Sequence, residues 1–389
     1  MDGQSAIHQL SGAFEAVFNG KPLIARSPGR INIIGEHTDY NEGFVLPAAI
    51  DKAAYLAVSL REDREIHLVA RDFDRKFSIS LDELRPQKEV SWPNYILGPV
   101  AQLMEAGIAV RGFNAMLSSD VPVGAGLSSS AAVECATLFA LNELLGAALD
   151  RITMVKMAQQ AEHSYPGLMC GIMDMFASMM GRKDHVIKLD CRSLQYEYVP
   201  FRLDGVRVVL FDTNVKHSLA SSEYNTRRRE CTQAVTWVRD REPGVHSLRD
   251  VTEEMLDAYV LPKSDLVDRR ARYVIQENRR LQEACRDLER GDLEAVGKKM
   301  FATHEGLSRM YDVSCPELDF LVNAVSGHAG VIGARMMGGG FGGCVINLVK
   351  ETAIEQLVGE IRPSYESKMK RPLTVYVDSI EDGSGLVTE

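Results

Sequence analysis

The segment Met337-Gly-Gly-Gly-Phe-Gly-Gly-Cys344 constrains this chain more than any other, with five glycines in six positions. Glycine loses more backbone freedom on ordering than any other residue, so such a run is a poor choice for an ordinary turn. It suits a backbone that must adopt positive φ or lie close against a ligand or another segment. The run formally contains G-x-G-x-x-G at Gly338, Gly340 and Gly343. A dinucleotide-binding motif of that form must open a helix. Here Gly343 is followed by Cys-Val-Ile-Asn-Leu-Val, a strand pattern, so that assignment fails. No G-x-x-x-x-G-K-[ST], no His-Arg-Asp and no Asp-Phe-Gly occurs, which excludes P-loop enzymes and protein kinases.

A second glycine-rich run, Val121-Pro-Val-Gly-Ala-Gly-Leu-Ser-Ser-Ser-Ala-Ala132, follows an expected strand and leads into an expected helix. Free N–H groups at a helix start can cradle an anion. The three serines add hydroxyls that could bond phosphate or a metal ion. A plain turn with a serine cap needs only one or two special residues, and this run supplies six.

Two further runs carry polar chemistry. Between Arg26 and Tyr40 the chain packs Arg30, Asn32, Glu36, His37 and Asp39 into ten positions, broken by Gly29 and Gly35. That density suits a hydroxyl-rich ligand, although a solvated loop would also explain it. In Gly167–Phe176, Asp174 is a single carboxylate in an apolar, glycine-broken stretch. A carboxylate there needs partners or a function; the plain alternative is a cap for a helix over Met175–Met180.

The 389 residues exceed one typical core, so two or three domains are expected. A net charge of −10 argues against nucleic acid or an anionic membrane as partner. Seven widely spaced cysteines without a C-x-x-C pair fit reduced thiols in a cytoplasmic protein. The N-terminus carries Ile7, Leu10, Phe14 and Val17 at helical spacing and does not read as a signal peptide. No apolar run approaches the roughly 20 residues of a membrane span. Lys52–Val69 is expected to be a hairpin turned at Arg61–Glu65. Helices are expected over Asn94–Gly107, Ser128–Leu145, Arg151–His163 and about Thr352–Ile361, with several surface helices in Ser221–Leu307. Strands are expected at Gly112–Ser118, Val186–Leu189, Val206–Phe211, Gly333–Met337, Cys344–Leu348 and Leu373–Val377. This irregular mixture indicates an α+β fold, divided near residue 200 into domains 1–199 and 200–389.

Taken together, Pro28–Gly43 (PGRINIIGEHTDYNEG), the Pro122–Ala132 loop, Gly171–Asp174 and the Gly338–Gly343 run resemble motifs of the galactokinase branch of the GHMP small-molecule kinases, in the family's order. Trp92–Gly98 and Ser218–Cys231 also resemble segments of that family. The resemblance implies a two-domain α+β fold with the active site in the cleft between the domains, and galactose and MgATP as substrates. It implies sugar contacts from Glu36, His37, Asp39, Gly171, Asp174 and Tyr224, and a catalytic pair of Arg30 and Asp174. It implies ATP contacts from Pro122, Gly124, Gly126, Leu127, Ser128, Ser129 and Ser130, with Trp92 and Tyr95 near the adenine. Magnesium falls to Ser130 and Glu162. Met175 departs from the glutamine usual after the aspartate. A kinase for a related sugar and a catalytically silent sugar sensor are the alternatives. The sequence does not set the oligomeric state; a monomer is favoured.

Overall fold

The structure is a computed structural model that describes residues 3–215 and 220–387. Helix α1 (Gly3–Phe18) precedes strands β1 (Leu23–Asn32), β2 (Phe44–Val45), β3 (Pro47–Leu60), β4 (Glu65–Ala70) and β5 (Arg75–Ser80). Next come α2 (Asn94–Glu105), β6 (Phe113–Ser119), α3 (Ser129–Leu145), α4 (Arg151–Ser164) and α5 (Met173–Met180). Strands β7 (His185–Asp190), β8 (Tyr196–Pro200) and β9 (Val206–Asp212) lead into a helical run: α6 (Ala220–Arg239), α7 (Glu253–Tyr259), α8 (Asp265–Glu289), α9 (Leu293–Glu305) and α10 (Pro316–Val325). The chain closes with β10 (Val331–Met336), β11 (Cys344–Lys350), α11 (Ile354–Met369), β12 (Thr374–Asp378) and β13 (Gly385–Val387).

One sheet runs β13-β1-β3-β6-β4-β5, a second β10-β11-β9-β12 and a third β2-β7-β8. Helices and strands therefore mix as the α+β expectation required. The first sheet and α2–α5 enclose one apolar core, while β9–β12 and the helices around them enclose another. β13 returns from the chain's end to pair with β1, through Ile24–Val387.

The expected hairpin over Lys52–Val69 does not form. β6 lies between β3 and β4, antiparallel to the first and parallel to the second. The reason lies in the Arg61–Glu65 turn. Arg61 N–H donates to the Gly112 carbonyl at 2.8 Å and Gly112 N–H donates to Asp63 O at 3.1 Å. A side chain at 112 would collide with the Asp63 and Glu65 backbone. A glycine at the entrance of β6 thus wedges that strand into the gap. Val17 is a second difference: it is 45% exposed, whereas Ile7, Leu10 and Phe14 are buried. Phe18, whose ring centroid lies 4.9 Å from that of Phe14, closes the cluster in its place. The helices of 221–307 are also more than a surface layer, because α8 buries Glu277, Tyr273 and Leu281. Of the Ser218–Cys231 segment, Ser218 and Leu219 lie outside the described residues.

Candidate active site

β1 does not run straight. Its register against β3 shifts between Pro28 and Arg30, and there Arg30 N–H donates to Leu127 O at 3.1 Å. Strand and serine-rich loop are thereby joined, and the Arg30 side chain reaches across. Its Nε donates to Asp174 Oδ1 at 2.8 Å and its Nη1 to the Gly126 carbonyl at 2.6 Å. Ser128 Oγ donates to the other oxygen, Oδ2, at 2.6 Å. Asp174 sits in the first turn of α5, whose N-cap is Ile172. It is not a helix cap, so the plain alternative fails. Its side chain is 26% exposed, against 5% for Arg30, which leaves a carboxylate accessible to a ligand.

Glu36, His37 and Asp39 follow β1. Glu36 Oε1 accepts from Arg335 Nη2 and from Gly338 N–H, each at 2.9 Å. One of its oxygens therefore ties the polar cluster to the glycine run. His37 occupies the left-handed region at φ 63°. Burial pulls its ring down to about 4 against the opposing pull of Glu36, which leaves it neutral at physiological pH. Asp39 is pushed up to about 7, first by loss of water and then by the Asp174 charge. A Cβ at Gly171 would overlap the Asp39 carboxylate, so only glycine admits that packing. The Tyr224 ring, from α6, lies 5.4 Å from that of His37. Arg30, Glu36, His37, Asp39, Gly171, Asp174 and Tyr224 line one cavity of about 350 Å³, together with Gly338, Gly339 and Gly340. All the sugar-contact and catalytic positions named from sequence meet there.

The serine-rich loop flanks this cavity. Gly124, Gly126 and Ser128 have φ of 83°, 78° and 60°. Ser128 precedes α3 but makes no capping bond; its hydroxyl serves Asp174 instead. Leu127 buries its side chain in the core, so only its backbone can meet a ligand. Pro122, Ser129 and Ser130 are partly buried and Gly124 is exposed. Ser130 lies near Glu162, whose carboxyl is pushed up mainly by burial and drawn back by that hydroxyl. Glu134 was not named from sequence. It is fully buried on α3, faces Glu162 and is pushed well above the usual range by burial and that neighbour. Both Glu134 oxygens and Glu162 Oε2 lack a hydrogen-bond donor. The available signal was a lone charge within the apolar Ala131–Leu141 stretch.

Trp92 and Tyr95 do not line the cavity. Both pack against the first core, and Tyr95 feels the charges of Glu162 and Glu134. Met175 is buried in that core, where an apolar side chain belongs. The two glycine-rich runs meet: a Cβ at Gly343 would approach the Ala125 carbonyl at 3.4 Å. Arg335, wholly buried, also escaped the sequence analysis; it donates to the Asn32, Ile33 and Met336 carbonyls as well as to Glu36.

Residues 12–60 match the galactokinase galactose-binding signature, 94–182 the GHMP kinase N-terminal domain and 283–366 the GHMP kinase C-terminal domain. A galactokinase of Thermotoga neapolitana is 42% identical over 358 residues, 92% of this chain and 98% of that protein. A galactokinase of Roseiflexus sp. is 40% identical over 367 residues, 94% and 93% of the two chains. The crystal structure of Lactococcus lactis galactokinase complexed with galactose superposes with a TM-score of 0.94 at 34% identity, covering 98% of this chain and 100% of that one. Methanococcus jannaschii mevalonate kinase, at 18% identity and a TM-score of 0.69 over 94% of this chain and 100% of its own, shares the fold. The chain belongs to the galactokinase family of GHMP kinases, phosphotransferases that move a phosphoryl group from ATP to an alcohol.

Proposed function

We propose that this enzyme transfers the γ-phosphoryl group of ATP to the C1 hydroxyl of galactose. The observation that carries this is the cavity itself, in which the Arg30–Asp174 pair converges with Glu36, His37, Asp39 and Tyr224. Phosphoryl transfer depends on positioning and on neutralising charge. Asp174 accepts the C1 hydroxyl proton, and Arg30 beside it stabilises negative charge on the moving group. Glu36, His37, Asp39 and Tyr224 pair with ring hydroxyls, the polar readout that rejects an epimer by leaving buried groups unpaired. The Pro122–Ser130 loop holds the triphosphate on its backbone N–H groups, and Trp92 and Tyr95 flank the adenine.

Glu162 Oε2 is buried without a donor, and the Ser130 hydroxyl lies near the same carboxyl. An oxygen-only donor pair of this kind suits magnesium. Ser130 and Glu162 would hold it, supplying charge neutralisation for the β- and γ-phosphates. We read the chain as domains 1–199 and 200–389, with β13 crossing back to the first sheet, and the enzyme as a monomer. Seven free thiols fit a reducing compartment, and we place it in the cytoplasm.

The test is kcat/KM for galactose, glucose, N-acetylgalactosamine and arabinose with ATP, with and without excess chelator. A strong preference for galactose, abolished by chelator, is expected. Equal values for galactose and glucose would remove the substrate assignment, absent turnover with every sugar would indicate a sensor, and activity intact in chelator would remove the metal.

A further inference from the structure

Behind the cavity wall lies a line of hydroxyls that the proposed reaction does not use. His37 Nδ1 is 2.7 Å from Tyr40 Oη, Tyr40 Oη is 2.8 Å from Tyr311 Oη, and Tyr311 Oη is 3.2 Å from Cys231 Sγ. Tyr311 and Cys231 are buried and belong to the second core, whereas His37 lines the cavity. Neither Tyr40 nor Tyr311 touches the cavity. The rings are packed as well as bonded: Tyr311 lies 4.8 Å from His37 and 4.9 Å from Tyr273 by centroid. His37 Nε2 is buried and makes no hydrogen bond of ordinary geometry, and the Gly339 backbone is the polar group beside the ring.

The direction of the line follows from the groups in it. A neutral imidazole has one donor and one acceptor nitrogen, and the hydrogen bond at one fixes the other. A phenol O–H is a stronger acid than an imidazole N–H, and imidazole nitrogen is a stronger base than phenol oxygen. Tyr40 therefore donates to Nδ1, which places the ring proton on Nε2. The distances at the next two contacts admit either donor; with the Tyr40 proton on Nδ1, the order that completes the line has Tyr311 donating to Tyr40 and the Cys231 thiol to Tyr311. Each donation strengthens the next.

We propose that Tyr311 is a positioning residue for sugar recognition. Acting through Tyr40, it holds His37 as the Nε2–H tautomer, so that the ring turns a donor, not an acceptor, toward the Gly339 carbonyl of the glycine run and keeps its place in the cavity lining. The inference rests on the assignment of the cavity to galactose. It gives the C-terminal half a part in sugar recognition beyond the residues that line the site.

Tyr311→Phe deletes one oxygen and keeps both ring contacts. The tautomer is read by ¹⁵N-histidine NMR on the sugar-free protein at pH 7, and the kinetics by separate KM and kcat values. The wild type should show His37 as Nε2–H alone. Tyr311→Phe should show mixed tautomers and a galactose KM raised roughly 3–10-fold, the range for one hydrogen bond. Its kcat and ATP KM should stay within about twofold, a split that general loosening would not give. If Tyr311→Phe does not fold, Tyr40→Phe carries the same test, because Nδ1 then loses its donor outright. A single unchanged tautomer with wild-type KM in a folded variant, or Nδ1–H in the wild type, would overturn the proposal. Because the spectrum is taken without sugar, failure to turn over galactose would sink the substrate assignment and leave this test standing.

Discussion

Asp174 and Asp39 share a cavity but not an environment. Asp174 accepts from Arg30 and Ser128, one donor on each oxygen. Asp39 has lost its water and feels Asp174 across the cavity, and is pushed up to about 7. Asp174→Asn keeps the shape but cannot take a proton. We expect kcat to fall by roughly 10²–10⁴, the span for a general base, with ATP affinity retained; a variant keeping more than about a tenth of wild-type kcat would end that role. Asp39 gives a prediction in pH. Unfolded, it loses its proton near 3.8; folded, near 7. Between these values the native state holds the extra proton, so this group's contribution to stability falls as pH rises from about 4 to 7. Asn mimics the protonated form. The melting temperature of Asp39→Asn should therefore exceed that of wild type most at pH 8 and little at pH 4; an equal difference at both would contradict the assignment.

At the scale of elements, the Gly338–Gly343 run is both a wall and a joint. Gly340 has φ 84°, and a Cβ there would strike the Val313 carbonyl. Gly340→Val should therefore lose folded protein before it loses turnover, which a thermal melt beside the kinetics will show. Gly339 is different: it is not in the left-handed region, and an added Cβ would meet the Tyr224 ring at 3.4 Å. Gly339→Ala should fold normally and raise the galactose KM by narrowing the cavity. An unchanged KM would mean that this part of the wall does not meet the sugar. β6 teaches a related lesson. The strand-forming runs on either side of Arg61–Glu65 correctly marked two strands, but their partners depended on Gly112, about 50 residues further on.

For the whole molecule, the decisive contact joins the two cores. Arg335 is wholly buried on β10, yet it donates to Glu36 and to the Asn32 and Ile33 carbonyls. Removing one member of such a pair leaves a buried charge unmatched, at a typical cost of 3–5 kcal/mol. Arg335→Met should lose about that much in denaturant unfolding, and the galactose KM should rise because Glu36 loses its support. A loss below about 1 kcal/mol would show that the pair carries little of the joint. The cavity has the same two-sided origin, with Arg30, Glu36, His37, Asp39 and Asp174 from one half and Tyr224 and Gly338–Gly340 from the other.

What is local could be read from the residues. Periodicity marked most helices and strands, because burial of one face imposes a period of 3.6 or 2. Composition marked both glycine runs, and chemistry marked Asp174 as a carboxylate that needed either a helix to cap or a function. What depends on distant residues meeting came only with the packing of the layers. It gave Ser128 to Asp174 and not to its own helix, set Glu134 against Glu162, placed β6 between β3 and β4, and buried Arg335 beside Glu36. These outcomes have a common physical origin. A backbone period is written within a dozen residues, whereas the partner of a buried polar group is chosen by how whole layers pack, and no local pattern encodes that choice.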